Sequence, residues 1–74
     1  MKIRCTLDGL VLHAEMHPAL NALVAFDGDE PFVLEAVEAL FYELVSATAE
    51  ELLQLEQARY RLLRRADDFR RTEA

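Results

Sequence analysis

Apolar and polar residues alternate on both sides of an Asp8-Gly9 dipeptide near the start of the chain. Asp-Gly between alternating segments indicates a β-hairpin, because both central residues of a type I′ turn need positive φ. The sequence therefore predicts an antiparallel hairpin with strands at about 2–7 and 10–16. With the turn at this dipeptide, four apolar pairs face each other on one side of the hairpin: Leu7–Leu10, Cys5–Leu12, Ile3–Ala14 and Met1–Met16.

The segment after the hairpin predicts a short helix at about 18–26, because Pro18 suits the first position of a helix. The alternative is a third strand over Asn21–Phe26. A turn at Asp27-Gly28-Asp29 then separates this segment from the rest of the chain.

Two longer helices are predicted beyond that turn, as an antiparallel pair at about 31–46 and 49–71. Pro31 begins the first, and apolar residues recur at helical spacing along it: Val33, Val37, Leu40, Phe41 and Leu44. Thr48 and Glu51 form an S/T-x-x-E capping box, which places the start of the second helix at about Ala49. No Gly or Pro interrupts the chain between Ala49 and about Arg71, where this helix is expected to end. The expected fold class is α+β, as a single domain over residues 1–74.

The last predicted helix carries more apolar surface than one neighbouring helix covers. A single core in a chain of about 70–80 residues or fewer supplies only a few kcal/mol, and one cysteine excludes an internal disulfide. We therefore expect self-association, as a homodimer, through a surface on this helix. The expected interface residues are Leu52, Leu55, Arg59, Tyr60, Leu62 and Phe69.

The formal net charge of −6 disfavours general binding to DNA or membranes, because phosphates attract lysine and arginine. Eleven acids and two bases precede Gln57, whereas six arginines follow it. The predicted helix at 31–46 has an acidic face of Glu35, Glu38 and Glu43, which could match a basic protein surface. The alternative partner is nucleic acid, bound by the arginine-rich C-terminal helix.

No residue pattern indicates catalysis or a resident metal. His13, Glu15 and Cys5 include zinc-ligand types, but the predicted hairpin points Cys5 to the opposite face. Asp27-Gly28-Asp29-Glu30 begins like a calcium loop, but Pro31 interrupts the twelve residues such a loop needs. We expect no enzyme, no cofactor and no metal.

The sequence therefore predicts a small protein-interaction module that binds a protein target through acidic and apolar helix surfaces. Its size, acidity and lack of catalytic groups are typical of small regulators and inhibitors, including phage-type accessory proteins; this is an analogy, which no motif supports. No signal peptide or apolar stretch of about 20 residues occurs, and a lone cysteine suits a reducing cytoplasm.

Overall fold

The computed structural model of the protein describes residues 1–72. Within this part of the chain lie six strands, one α-helix and a short 3₁₀ helix at Glu38–Phe41. The expected domain of 1–74 includes two residues outside the described range. The strands and the α-helix, in chain order, are β1 Lys2–Cys5, β2 Val11–His17, β3 Ala22–Asp27, β4 Glu30–Leu34, β5 Tyr42–Ala47, α1 Ala49–Gln57 and β6 Arg64–Arg71.

The strands form one mixed sheet in the order β4-β3-β2-β1-β5-β6. The first four strands are an antiparallel meander, and β5 then returns to pair with the free side of β1. Helix α1 connects β5 to β6, which run parallel, so it supplies the crossover that a parallel pair requires. The predicted α+β fold with an antiparallel helix pair is therefore wrong, because four strands, β3 to β6, lie in the predicted helical region.

One face of the sheet is buried, and we call it the inner face. Cross-strand partners such as Ile3 and Leu44 on β1 and β5, or Leu23 and Leu34 on β3 and β4, are almost completely buried on it. The two long connections cover this face. Ala39 of the 3₁₀ helix, Leu55 of α1 and Tyr60 after α1 all join the same core cluster.

The first two strands pair as an antiparallel hairpin, but the predicted register is wrong. Ile3 pairs with Leu12, not with Ala14. The loop closes between Cys5 and Leu10, and Gly9 has positive φ whereas Asp8 does not. A type I′ turn at Asp8-Gly9 therefore does not form. The observed pairing is shifted by two residues from the predicted one. The same side chains still point to the inner face, because side chains alternate along a strand with a period of two.

The predicted short helix at 18–26 is also wrong, and the alternative strand over Asn21–Phe26 agrees closely with β3. Leu23 and Ala25 are buried while Ala22, Val24 and Phe26 are half-buried, which is a strand period of two. Gly28, with a φ of 62°, occupies the first central position of the β3–β4 turn, as a type II′ turn requires.

The predicted helix at 31–46 is replaced by β4, the 3₁₀ helix and β5. The apolar residues whose spacing predicted a helix have different surroundings in the folded chain. Leu44 is buried, whereas Val33, Val37 and Leu40 are exposed. The predicted helical hairpin is therefore absent.

The capping box and the start of α1 at Ala49 are confirmed. Thr48 Oγ1 accepts the Glu51 amide, and the Glu51 side chain accepts the Thr48 amide. The predicted end at about residue 71 is wrong, because the helix ends at Gln57 in a Schellman motif. Arg59 takes a φ of 65°, and the amides of Arg59 and Tyr60 donate to the carbonyls of Glu56 and Leu55. No helix in residues 1–72 has the length and apolar character needed to cross a membrane.

Candidate functional site

Six large apolar side chains are exposed on two neighbouring segments of the chain. One segment runs from the β1–β2 loop into β2, and the other contains the 3₁₀ helix before β5. Their exposed fractions run from 47% to 78%. We call this set the apolar end: Leu7, Leu10, Val11, Val37, Leu40 and Phe41.

Hydrogen bonds hold the two segments of the apolar end together. The backbone amide and the hydroxyl of Thr6 both donate to the carbonyl of Phe41, at 2.9 and 3.0 Å. The next residues, Cys5 and Tyr42, are cross-strand partners in β1 and β5. The apolar end is therefore a defined surface, because its segments are fixed to each other and to the sheet.

Acidic side chains accompany the apolar end, and we call Asp8, Glu35 and Glu38 its acidic rim. All three are exposed. Burial raises the pKa of Tyr42, and electrostatic interactions with Cys5, Asp8 and Glu38 raise it further. One acid from each segment, Asp8 and Glu38, thus interacts with the same tyrosine hydroxyl.

Asp8 orders the hairpin loop. Its carboxylate accepts the Leu10 amide at 2.9 Å, and this bond lowers the pKa of Asp8, with a further contribution from the Cys5 side chain. The loop geometry therefore favours an ionised Asp8 beside the exposed Leu7 and Leu10.

The interface residues predicted from the sequence differ in burial. Leu55 and Tyr60 are buried in the core, and Leu52 and Phe69 are half-buried. The guanidinium of Arg65 lies 5.1 Å from the ring centre of Phe69. Leu62 and Arg59 are exposed, in the segment between α1 and β6. A groove of about 440 Å³ beside α1 brings three of them together, Leu52, Leu55 and Tyr60, and Arg61 and Leu63 also line it.

The three residues of the predicted acidic face lie in two different parts of the fold. Glu35 and Glu38 lie beside the apolar end, in the connection between β4 and β5. Glu43 lies in β5, where its carboxylate accepts a hydrogen bond from Arg4 at 3.0 Å. Sequence reasoning placed Leu7 and Leu10 on the apolar face of the hairpin, and Val37, Leu40 and Phe41 on the apolar face of the predicted helix.

The residue types considered for metal binding lie apart. His13 contacts Glu15 at 3.1 Å, whereas Nδ1 of His17 accepts the Leu20 amide in the β2–β3 turn. Cys5 is half-buried and is a free cysteine. Within residues 1–72, no three His, Cys, Asp or Glu side chains are grouped to hold a metal ion.

The fold and surfaces define a small β-sheet domain with one crossover helix and an exposed apolar end. Comparison with protein-family models, with curated proteins and with solved structures gives no match.

Proposed function

We propose that the protein is a non-enzymatic protein-binding domain whose apolar end docks on another polypeptide. The observation that supports this is that six exposed large apolar side chains lie on two segments, which hydrogen bonds between Thr6 and Phe41 hold together. Contiguous exposed apolar surface marks protein interaction sites, because its burial releases about 25 cal/mol per Å².

The acidic rim indicates the chemistry of the partner surface. Asp8, Glu35 and Glu38 carry negative charge beside Leu7 and Leu40, so a matching surface has an apolar depression bordered by lysine or arginine. A domain of this kind regulates or inhibits its partner by occupying that surface. We place it in the cytoplasm, where a free thiol such as Cys5 is kept reduced.

Site-specific photo-crosslinking in the producing cell tests the proposal. A benzophenone amino acid replaces Leu40, which is 60% exposed at the apolar end. The matched control replaces Leu20, which is 58% exposed but lies in the β2–β3 turn. We expect one discrete crosslinked product from the Leu40 position and none from the Leu20 position.

A second substitution shows whether the product depends on the apolar end. Leu7→Ser, on the other segment, should remove the Leu40 product while the free energy of unfolding stays unchanged. The mass of the product identifies the partner, since a second copy adds 8.5 kDa. Equal crosslinking from both positions, or a product that survives Leu7→Ser, would exclude the apolar end as the binding surface.

A further inference from the structure

The sheet has a second face, which we call the outer face, and it is left open to solvent. Helix α1 and the 3₁₀ segment both pack on the inner face. No element of residues 1–72 covers the outer face, and its side chains, such as those of Lys2 and His13, are exposed or half-buried. A ligand can therefore lie flat across the strands.

The register aligns one row of side chains on the outer face across five strands. Each residue in the row is the cross-strand partner of the next, and the row is Phe26, His13, Lys2, Ser46 and Arg70. Adjacent strands lie about 4.8 Å apart, so four intervals give a row of about 19 Å. The residues come from five separate strands, and their alignment is visible only in the folded chain.

One end of the row is aromatic. The rings of His13 and Phe26 contact each other, with centroids 5.9 Å apart and planes 32° apart. A hollow of about 190 Å³ adjoins Phe26 and is lined also by Val24, Pro18 and Glu15. The half-buried Phe26 and the exposed His13 can stack with an unpaired nucleobase, since every base has a π face.

The other end of the row is basic and hydroxylic. Lys2 and Arg70 lie on either side of Ser46, and they line a cleft of about 450 Å³ with Thr72. The one carboxylate in this cleft, Asp68, is held by Arg4 at 2.9 Å. Two cations and two hydroxyls therefore face the cleft, which is the donor set that binds a phosphate.

We propose that the outer face binds single-stranded nucleic acid, with bases stacked at Phe26 and His13 and the backbone phosphates bound by Lys2 and Arg70. The row is long enough for several nucleotides of a single-stranded nucleic acid, because one nucleotide spans only about 3.4 Å along a stacked strand. It therefore matches an oligonucleotide better than a mononucleotide. The opposing charges are Glu15, which contacts His13, and Asp68, which Arg4 holds in the cleft. The row shares no residue with the apolar end.

Fluorescence anisotropy with a labelled single-stranded oligonucleotide of about 12 nucleotides tests the proposal, at low salt and over a salt series. Phe26→Leu should weaken binding about 5- to 150-fold, because it removes a stacking surface while it keeps an apolar residue. Lys2→Gln and Arg70→Gln should each reduce the slope of log affinity against log salt by about 0.7. Glu15→Gln should strengthen binding.

The matched control is Arg61→Gln, because Arg61 is exposed but lies beside the groove near α1. It should bind like the wild type. The proposal is overturned if the wild type gives no anisotropy change at low salt. It is also overturned if Arg61→Gln weakens binding as much as Lys2→Gln, or if a duplex of the same sequence binds equally well.

Discussion

The hydroxyl of Tyr60 accepts a hydrogen bond from the amide of Leu23 at 2.7 Å, although 37 residues separate them in the chain. The same hydroxyl donates to the carbonyl of Leu34 at 2.6 Å. Leu23 and Leu34 are cross-strand partners in β3 and β4. One buried phenol thus joins the far edge of the sheet to the segment that follows α1.

Tyr60→Phe should destabilise the protein by about 1–3 kcal/mol, because it leaves the Leu23 amide and the Leu34 carbonyl buried without this partner. Urea unfolding followed by circular dichroism measures the change. Tyr42→Phe is the matched control, because Tyr42 is half-buried and its hydroxyl has no hydrogen bond with a residue of the described chain. It should lower the free energy of unfolding less than Tyr60→Phe does. Equal urea midpoints for wild type and Tyr60→Phe would show that the two hydrogen bonds of the Tyr60 hydroxyl do not contribute to the free energy of unfolding.

The end of α1 illustrates what the sequence does not reveal. Its start follows from a local signal, because the capping box at Thr48 and Glu51 lies within one turn. Its end depends on Arg59 adopting positive φ, a conformation typical of glycine and costly for other residues. Burial of Tyr60 outweighs that local cost, and burial is a property of the whole fold.

Arg59→Gly should therefore stabilise the protein, by about 1 kcal/mol, because glycine adopts positive φ without a clash of its Cβ. Thermal unfolding should show a higher midpoint. Arg61→Gly is the control, since the φ of Arg61 is not positive, and it should give no stabilisation. Stabilisation by both substitutions would indicate that removal of a charge, not of strain, is responsible.

The misassigned region at 31–46 has a different cause. Leucine and valine recur there at helical spacing, but in the folded chain they lie in two short strands, the 3₁₀ helix and the residues between them. Burial of Leu34 and Leu44 decides the outcome, because each is a cross-strand partner of another buried residue. The apolar end could not be predicted either, because its two segments meet only when β5 pairs with β1.

Leu40→Ser should change the free energy of unfolding by less than about 0.5 kcal/mol, because the side chain is already largely exposed. It should also reduce the fluorescence of an apolar dye bound to the native protein. Leu44→Ser is the contrast, since Leu44 is 2% exposed and its substitution should unfold much of the protein. A large loss of stability for Leu40→Ser would mean that this side chain packs in the hydrophobic core.

The ion pair between Arg4 and Asp68 should stabilise the protein at neutral pH and lose this effect in acid. The hydrogen bond from Arg4 lowers the pKa of Asp68, so the pair contributes fully above the unfolded pKa of about 3.9. Its contribution is lost as the pH falls through the lower folded value. Because Asp68 is largely exposed, water screens the pair and the effect is small.

Asp68→Asn should therefore lower the urea midpoint at neutral pH, and the difference from wild type should shrink below about pH 4. Asp67→Asn is the matched control, because Asp67 is exposed and forms no ion pair with another residue of the range 1–72. Its midpoint should follow the wild type at every pH. A gap between wild type and Asp68→Asn that persists in strong acid would mean that the asparagine disturbs β6 itself, since protonation would already have broken the pair.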